Sequence, residues 1–272
     1  MNTTERHLRQ LIREALLNEI DIEEVGESCW AQGSTHELST CTIGGDKYYL
    51  KFSESLLFES DDPSLQILNE YLSYQIYKQF PAASTPDRVE LVYDRNNQRV
   101  GLASLAVRGG GYRLSAKQLA GLLSAGVYVD IFLANWDISN KANIIVSPEG
   151  DRATRIDLGG NLDFRAQGKR KGSMFGAEPG ELGTMLPTSD SRITNIFEGA
   201  DLRAAAQTFL ETPWSIIRDV IVSTQEQVEN ELLERGMTSL AAQWDDYVNH
   251  VGPILEQRHN TVTAHARHIL EV

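Results

Sequence analysis

The chain has 272 residues, enough for a full hydrophobic core in one large domain or two lobes, and two lobes are expected. At 41% apolar and 23% charged residues the composition is globular, not disordered, and no apolar run approaches the length that spans a bilayer. A net charge of -13 excludes general binding to nucleic acid, whose phosphates attract cations, and fits a cationic substrate or no particular partner. The start, MNTTERHLRQ, lacks the apolar stretch of a secretory signal, so a cytoplasmic location is expected. The two cysteines, Cys29 and Cys41, form no Cys-x-x-Cys and have no His pair at ligand spacing nearby, so a zinc site is not expected; twelve residues apart they could meet across paired strands, but two reduced core thiols are expected.

In chain order, residues 1–27 contain an amphipathic helix: Leu8, Leu11, Ile12, Ala15, Leu16 and Ile20 recur at helical spacing with charges between. Residues 28–52 change to strand character, with Gln-Gly-Ser and Gly-Gly-Asp as turn signals, and three short antiparallel strands are expected. In KYYLKF, Tyr48, Leu50 and Phe52 share one face while Tyr49 and Lys51 take the other. A helix follows, opened by Pro63 and closed by Pro81, with Leu65, Leu68, Leu72, Ile76 and Phe80 on its stripe and Glu70 on the flank beside Tyr74 and Tyr77. Residues 89–107 read as two strands around Asp-Arg-Asn-Asn, leading into the connector RGGGY. Ser115 with Gln118 makes a capping box for the next helix, and from about residue 190 the pattern is mostly helical.

One hairpin interrupts that helical remainder. In NIIVSPEGDRATRIDLGG, the turn Ser147 to Arg152, punctuated by Pro148 and Gly150, is expected to centre on Gly150 and set Asn143 opposite Asp157. A side-chain amide oxygen beside a carboxylate is a pair of hard ligands suited to magnesium. Asp137 lies in the loop six residues before Asn143, so three oxygen-bearing side chains are expected to converge. Phosphoryl transfer needs a carboxylate near the attacking hydroxyl, a magnesium on the nucleotide phosphates, a lysine on those phosphates and often an acid to hold it. Lys51 on its strand and Glu70 on the next helix supply the last two.

In this order the residues resemble the protein-kinase-like superfamily: Asp137 as the loop aspartate, Asn143 as the metal-binding asparagine, and Asp157-Leu158-Gly159 in place of Asp-Phe-Gly. The runs DIFLANWDISNKANIIV and RIDLGGNLDFRAQG are most similar to the atypical branch that includes the actin-fragmin kinase group, HipA-like kinases and the phosphatidylinositol 3- and 4-kinases. The chain departs from the typical pattern in its six-residue spacing, the lack of His-Arg-Asp and the lack of Ala-Pro-Glu; Asn140, in the same loop, stays open as an alternative metal ligand. The resemblance implies an α+β bilobal fold, with a β-rich lobe over 28–103 and a mainly helical lobe over 104–272 joined near 104–111. It also implies an ATP- and magnesium-dependent kinase acting on a protein or small-molecule hydroxyl.

In that reading Asp137 acts on the acceptor, Lys51 and Glu70 serve the phosphates, and Asn143 with Asp157 hold the metal. The loop residues Gln32, Gly33, Ser34 and Thr35 and the hinge residues Ser104 and Ala106 then contact the nucleotide. Asp130 is expected to brace the catalytic loop. Arg165, Lys169, Arg170 and Lys171 fall where kinases carry an activation or substrate loop, as a substrate grip or as a solvated surface. A nucleotide-binding module without activity, and transfer of the nucleotide instead of the terminal phosphate, remain alternatives.

Overall fold

The structure is a computed structural model that describes residues 30–32, 38–43, 45–53, 62–93, 99–110, 114–166, 168–186, 197 and 200–272. The expected N-terminal helix over 1–27 and the loop residues Gly33, Ser34 and Thr35 lie outside these. The smaller lobe is one antiparallel sheet of β1 (Trp30–Gln32), β2 (Leu38–Ile43), β3 (Asp46–Phe52), β4 (Val89–Tyr93) and β5 (Val100–Leu105), in the order β1-β2-β3-β5-β4. Alternation along β3 divides its two faces as the sequence requires. Tyr48 and Leu50 join Cys41, Val92 and Ala103 in a small separate core, with Phe52 packed against it.

Across the opposite face runs helix α1 (Pro63–Tyr77), started by Asp62, whose side chain accepts the Leu65 N-H, and by Pro63 in its first turn. Nearly all of α1 is buried, far beyond the single stripe that its leucines mark, because it lies between the sheet and the helical lobe. Lys51 therefore points into a covered face, not into solvent.

Two expectations are corrected in this lobe. Cys41 is disulfide-bonded rather than a reduced core thiol; Cys29 lies outside the described residues. The sheet also extends past the expected boundary at residue 103. Ser104 is paired within β5, opposite Tyr49 and Val89, and the Ala106 N-H donates to the Lys47 carbonyl at 2.8 Å. The chain leaves the sheet only after that bond.

The connector then docks on the hairpin: Gly110 and Val146 exchange backbone hydrogen bonds of 3.1 and 3.2 Å. Gly109 makes this possible, since its φ is +146° and a Cβ there would sit 2.0 Å from the Val146 carbonyl oxygen.

The larger lobe begins at α2 (Ala116–Leu123), closed at its N-terminus by the Ser115–Gln118 capping box, and continues through a 3-10 turn into α3 (Val127–Phe132). Two further 3-10 turns, Trp136–Ser139 and Lys141–Asn143, lead into the hairpin of β6 (Ile144–Val146) and β7 (Ala153–Arg155). After the short α4 (Glu181–Thr184) come α5 (Leu202–Leu210), α6 (Trp214–Glu234) and α7 (Thr238–Glu271). They share one core with α1 and α3, through Tyr77, Phe132, Phe209, Trp244 and Leu255. Among the described residues no helix is long and apolar enough to cross a membrane.

The hairpin register differs from expectation by one residue. Ile144 pairs with Arg155 and Val146 with Ala153, and the Ile156 N-H donates to the Asn143 carbonyl, so Asn143 faces Ile156 and not Asp157. The cause is the turn. The Ser147 N-H bonds the Arg152 carbonyl across a loop of 148–151, which puts the symmetry point between Glu149 and Gly150.

Candidate active site

The ladder between β3 and β5 fixes Lys51 opposite Leu102, with its side chain directed at α1. There its Nζ donates to Glu70 Oε2 at 2.8 Å and to Asp157 Oδ1 at 2.7 Å. Three elements from both lobes thus meet at one ammonium. Lys51 is 9% exposed and Glu70 2%, whereas the Asp157 side chain is 53% exposed and keeps a solvent-facing side. Burial alone pulls the Lys51 ammonium down, but Asp157 and Glu70 outweigh it and hold the group above its ordinary range. Burial pushes the Glu70 carboxyl up, against the pull of Lys51.

Asp157 takes its place by leaving the strand. Its φ of +55° and ψ of +64° are left-handed, a conformation that aspartate tolerates better than most residues. Its N-H donates to the Tyr74 hydroxyl at 3.1 Å. Helix α1 therefore supports the carboxylate through the aspartate's own backbone.

Asp137 lies in the first of the two 3-10 turns after α3. Those consecutive turns take up the six-residue interval to Asn143, whose Nδ2 donates to the Asp137 carbonyl at 3.4 Å. Asn143 Oδ1 is then the oxygen it can offer a cation. The Asn140 side chain accepts the Ala142 N-H at 3.1 Å and caps the second turn, which favours Asn143 as the ligand. Asp137 packs against Gly160, where a Cβ would lie 1.7 Å from Oδ2, so only glycine admits the carboxylate there. Burial and the Asp157 charge push the Asp137 carboxyl above its usual range, with Lys171 and Lys51 pulling the other way.

Gly160→Ala is expected to displace that carboxylate and cut turnover on the order of 10²-fold while nucleotide affinity is kept, which steady-state kinetics and calorimetry check together.

Beside Asp137 opens a cleft of about 340 Å³ lined by Trp136, Asp137, Gly160, Arg165, Lys171 and Met174, among others; neither Lys51 nor Asp157 lines it. Trp136 forms a fixed wall, because its Nε1 donates to Glu181 Oε1 at 2.9 Å and Glu181 is itself held by Arg258.

The four basic residues after Asp157 divide. Arg165 and Lys169 are exposed. Arg170 is ion-paired to Asp163 at 2.9 Å and stacked over the Phe164 and Tyr247 rings, at 4.5 and 4.9 Å. Lys171 is buried, 8% exposed, so neither Arg170 nor Lys171 belongs to a solvated surface.

Asp130 braces the loop, as expected. Fully buried, it accepts from the Tyr77 hydroxyl at 2.6 Å, from Asn135 Nδ2 at 3.0 Å and from Arg155 Nη2 at 2.7 Å. Asn135 stands two residues before Asp137, so α1, α3 and β7 converge on the base of the catalytic loop.

No protein-family model matches the chain, and no curated protein matches its sequence. Solved structures do match. One is the proinflammatory kinase CtkA of Helicobacter pylori, with a TM-score of 0.50 at 11% identity, covering 89% of this chain and 96% of that one. The fold is kinase-like and bilobal. At that identity the likeness speaks for architecture, and the case for chemistry rests on the side chains above.

In this kinase-like frame Lys51, Glu70, Asp157 and Asp137 come together across the lobes, with Asn143 joined to them through the Asp137 carbonyl. Gln32 closes β1. Sequence reasoning missed Tyr74, Trp136, Gly160 and the buried role of Lys171. The Gly159-Gly160 pair was the one available signal, since adjacent glycines after a metal-type aspartate mark a close approach. A lysine inside a basic run carries none.

Proposed function

We propose that the protein is an ATP- and magnesium-dependent phosphotransferase whose acceptor is a protein hydroxyl. The observation that carries this reading is the buried Lys51 ammonium shared between Glu70 and Asp157 at 2.8 and 2.7 Å, which no purely structural need explains for a half-exposed aspartate. The donor set suits magnesium: Asp157 supplies a carboxylate with a solvent-facing side, and Asn143 an amide oxygen. Among the described residues no three or more His, Cys, Asp or Glu side chains are grouped to hold a metal, so the remaining ligands would be nucleotide and water oxygens. When bound, the cation neutralises charge on the phosphates.

Lys51 would contact those phosphates while Glu70 keeps its ammonium in place. Asp137 would accept the proton of the attacking hydroxyl, presented from the cleft between Trp136 and Met174. A carboxyl held above its usual range by burial and the Asp157 charge is a stronger base than an ordinary aspartate, which suits this role.

Because folding raises the Asp137 pKa, the folded state binds that proton more tightly than the unfolded state, and stability falls as pH rises through the folded value. Asp137→Asn removes this burden. It is expected to abolish transfer and to raise the melting temperature at pH 7 relative to the parent. A melting curve lowered or unchanged at that pH contradicts the assignment.

Incubation with magnesium and γ-labelled ATP, alone and with cell lysate, tests the function itself. Label on protein supports it. Label on small amine-bearing molecules alone reassigns the acceptor, a product that gains the mass of an adenylyl group while the γ-label leaves in pyrophosphate makes the reaction nucleotidyl transfer, and a nucleotide-dependent rise in melting temperature without any product makes the protein a binding module.

A further inference from the structure

The site described so far leaves one buried cation unused. Lys171 Nζ donates to three backbone carbonyls, those of Ala134 at 2.8 Å, Gly160 at 2.7 Å and Leu162 at 2.8 Å. Three acceptors around one nitrogen require three N-H donors, so the geometry calls for the ammonium form. Burial pulls in the opposite direction, lowering the group to about 7, with Glu181, Asp137 and Asp163 favouring the charge and Arg258 opposing it. The carbonyl cage lies within hydrogen-bond distance on three sides and decides the matter in favour of the charge.

The three acceptors are not arbitrary. Ala134, three residues before Asp137, and Leu162 are two of the three non-glycine residues with positive φ among those described, at 55° and 50°. Such conformations cost free energy and persist only where surroundings enforce them. Gly160 is the residue against which the Asp137 carboxylate packs. Lys171 thus ties the start of the catalytic loop to the turn that follows Asp157.

Its own position is fixed from behind. The Lys171 N-H donates to the Asp163 carbonyl, Asp163 Oδ1 accepts the Gly172 N-H at 2.9 Å, and Arg170 anchors the same segment on Tyr247 of α7.

We propose that Lys171 is a positioning residue: its ammonium, delivered by the 163–172 segment, holds the catalytic loop and the Gly160 turn in the one arrangement that places Asp137 for transfer. This rests on the phosphotransferase reading for its kinetic arm, and on the cage alone for its structural arm. It assigns that basic segment to assembling the site instead of gripping a substrate.

Lys171→Met keeps the length and removes the donors. Hydrogen exchange is the first readout and needs no activity: faster exchange is expected in 133–143 and 158–163, with α1 and the sheet unchanged. Kinetics is the second. The expected result is a fall in kcat on the order of 10²-fold with the nucleotide dissociation constant within about threefold of the parent.

Unchanged exchange in both segments overturns the proposal, as does exchange rising equally through α5, α6 and α7, which would make Lys171 an ordinary core residue. A nucleotide affinity that falls in step with kcat overturns it too. If Lys171→Met does not melt cooperatively, Lys171→Arg takes its place. It keeps the charge but cannot converge three donors from one atom, so exchange in 133–143 and 158–163 faster than in the parent and a lower kcat are expected, and parental values for both refute the cage. A parent without any transfer would fail the function proposed above, while the exchange result would still judge Lys171.

Discussion

Lys51→Ala is expected to reduce phosphoryl transfer by on the order of 10³-fold or more, the scale of losing one preorganised charge aimed at the reacting phosphates. The same substitution strands Glu70, which is 2% exposed, without its 2.8 Å partner. Removing one member of a buried pair costs about 3–5 kcal/mol, so the melting temperature should fall as well. The pH dependence separates these effects. Folding already raises the Glu70 pKa, so the folded state binds that proton more tightly, and in the variant stability should decline as pH rises through the folded value.

Adding Glu70→Gln to Lys51→Ala is expected to recover most of the stability and none of the transfer, because no buried charge is then left alone. Asp157→Ala makes the converse comparison. Its side chain is half-exposed, so transfer should be lost with a smaller change in melting. Normal turnover in either single variant, measured with γ-labelled ATP, removes that residue from the mechanism.

Asp130→Ala is expected to be the most destabilising single change at the base of the site. Arg155, 1% exposed, would keep its guanidinium buried with only the Leu123 carbonyl as a partner, and its Nη1 has no partner even in the parent. Gly126 presses on the same group, since a Cβ there would lie 2.4 Å from Nη2, which leaves Arg155 no room to withdraw. The cost of about 3–5 kcal/mol corresponds to a drop of roughly 10 °C in a chain of this size. Replacing both Asp130 and Arg155 by leucine should cost less than Asp130→Ala alone. Differential scanning calorimetry on the two variants decides, and a smaller loss in the single variant would mean that the pair is not the brace described.

Much of this was legible in the sequence, and what was not has identifiable causes. Pro63 opens α1, the Ser115–Gln118 capping box opens α2, and alternation along β3 turned Lys51 away from Tyr48, because each rests on contacts within a few residues. The chain order Lys51, Glu70, Asp137, Asn143, Asp157 pointed to the site, since kinase-like lobes bring those segments together. The hairpin turn lies where expected, from Ser147 to Arg152, but an even number of residues between those two puts its midpoint between Glu149 and Gly150, so a register centred on Gly150 is off by one. Glu70 sat off the leucine stripe, so its role beside Lys51 was expected from the order of residues but its depth was not, because α1 is covered on almost every side by elements distant in sequence.

Arg170 and Lys171 failed for a related reason. A run of basic residues among glycines describes a solvated loop as well as it describes a clamp, and only the ring faces of Phe164 and Tyr247 and three distant carbonyls distinguish them. The disulfide at Cys41 was open in the sequence, since cysteines twelve apart can meet across paired strands, but the expected reducing compartment weighed against it.

Helix α1 is bolted at several levels: Glu70 to Lys51, Tyr74 to Asp157, Tyr77 to Asp130, and Asn69 both to Tyr247 and to the Asn161 carbonyl. Control by swinging this helix outward would break all of these contacts in one motion and expose polar groups now shielded from water. For the phosphotransferase proposed above, a brake would then act at the entrance of the Trp136 cleft or on the nucleotide, not on the spine that joins the two halves.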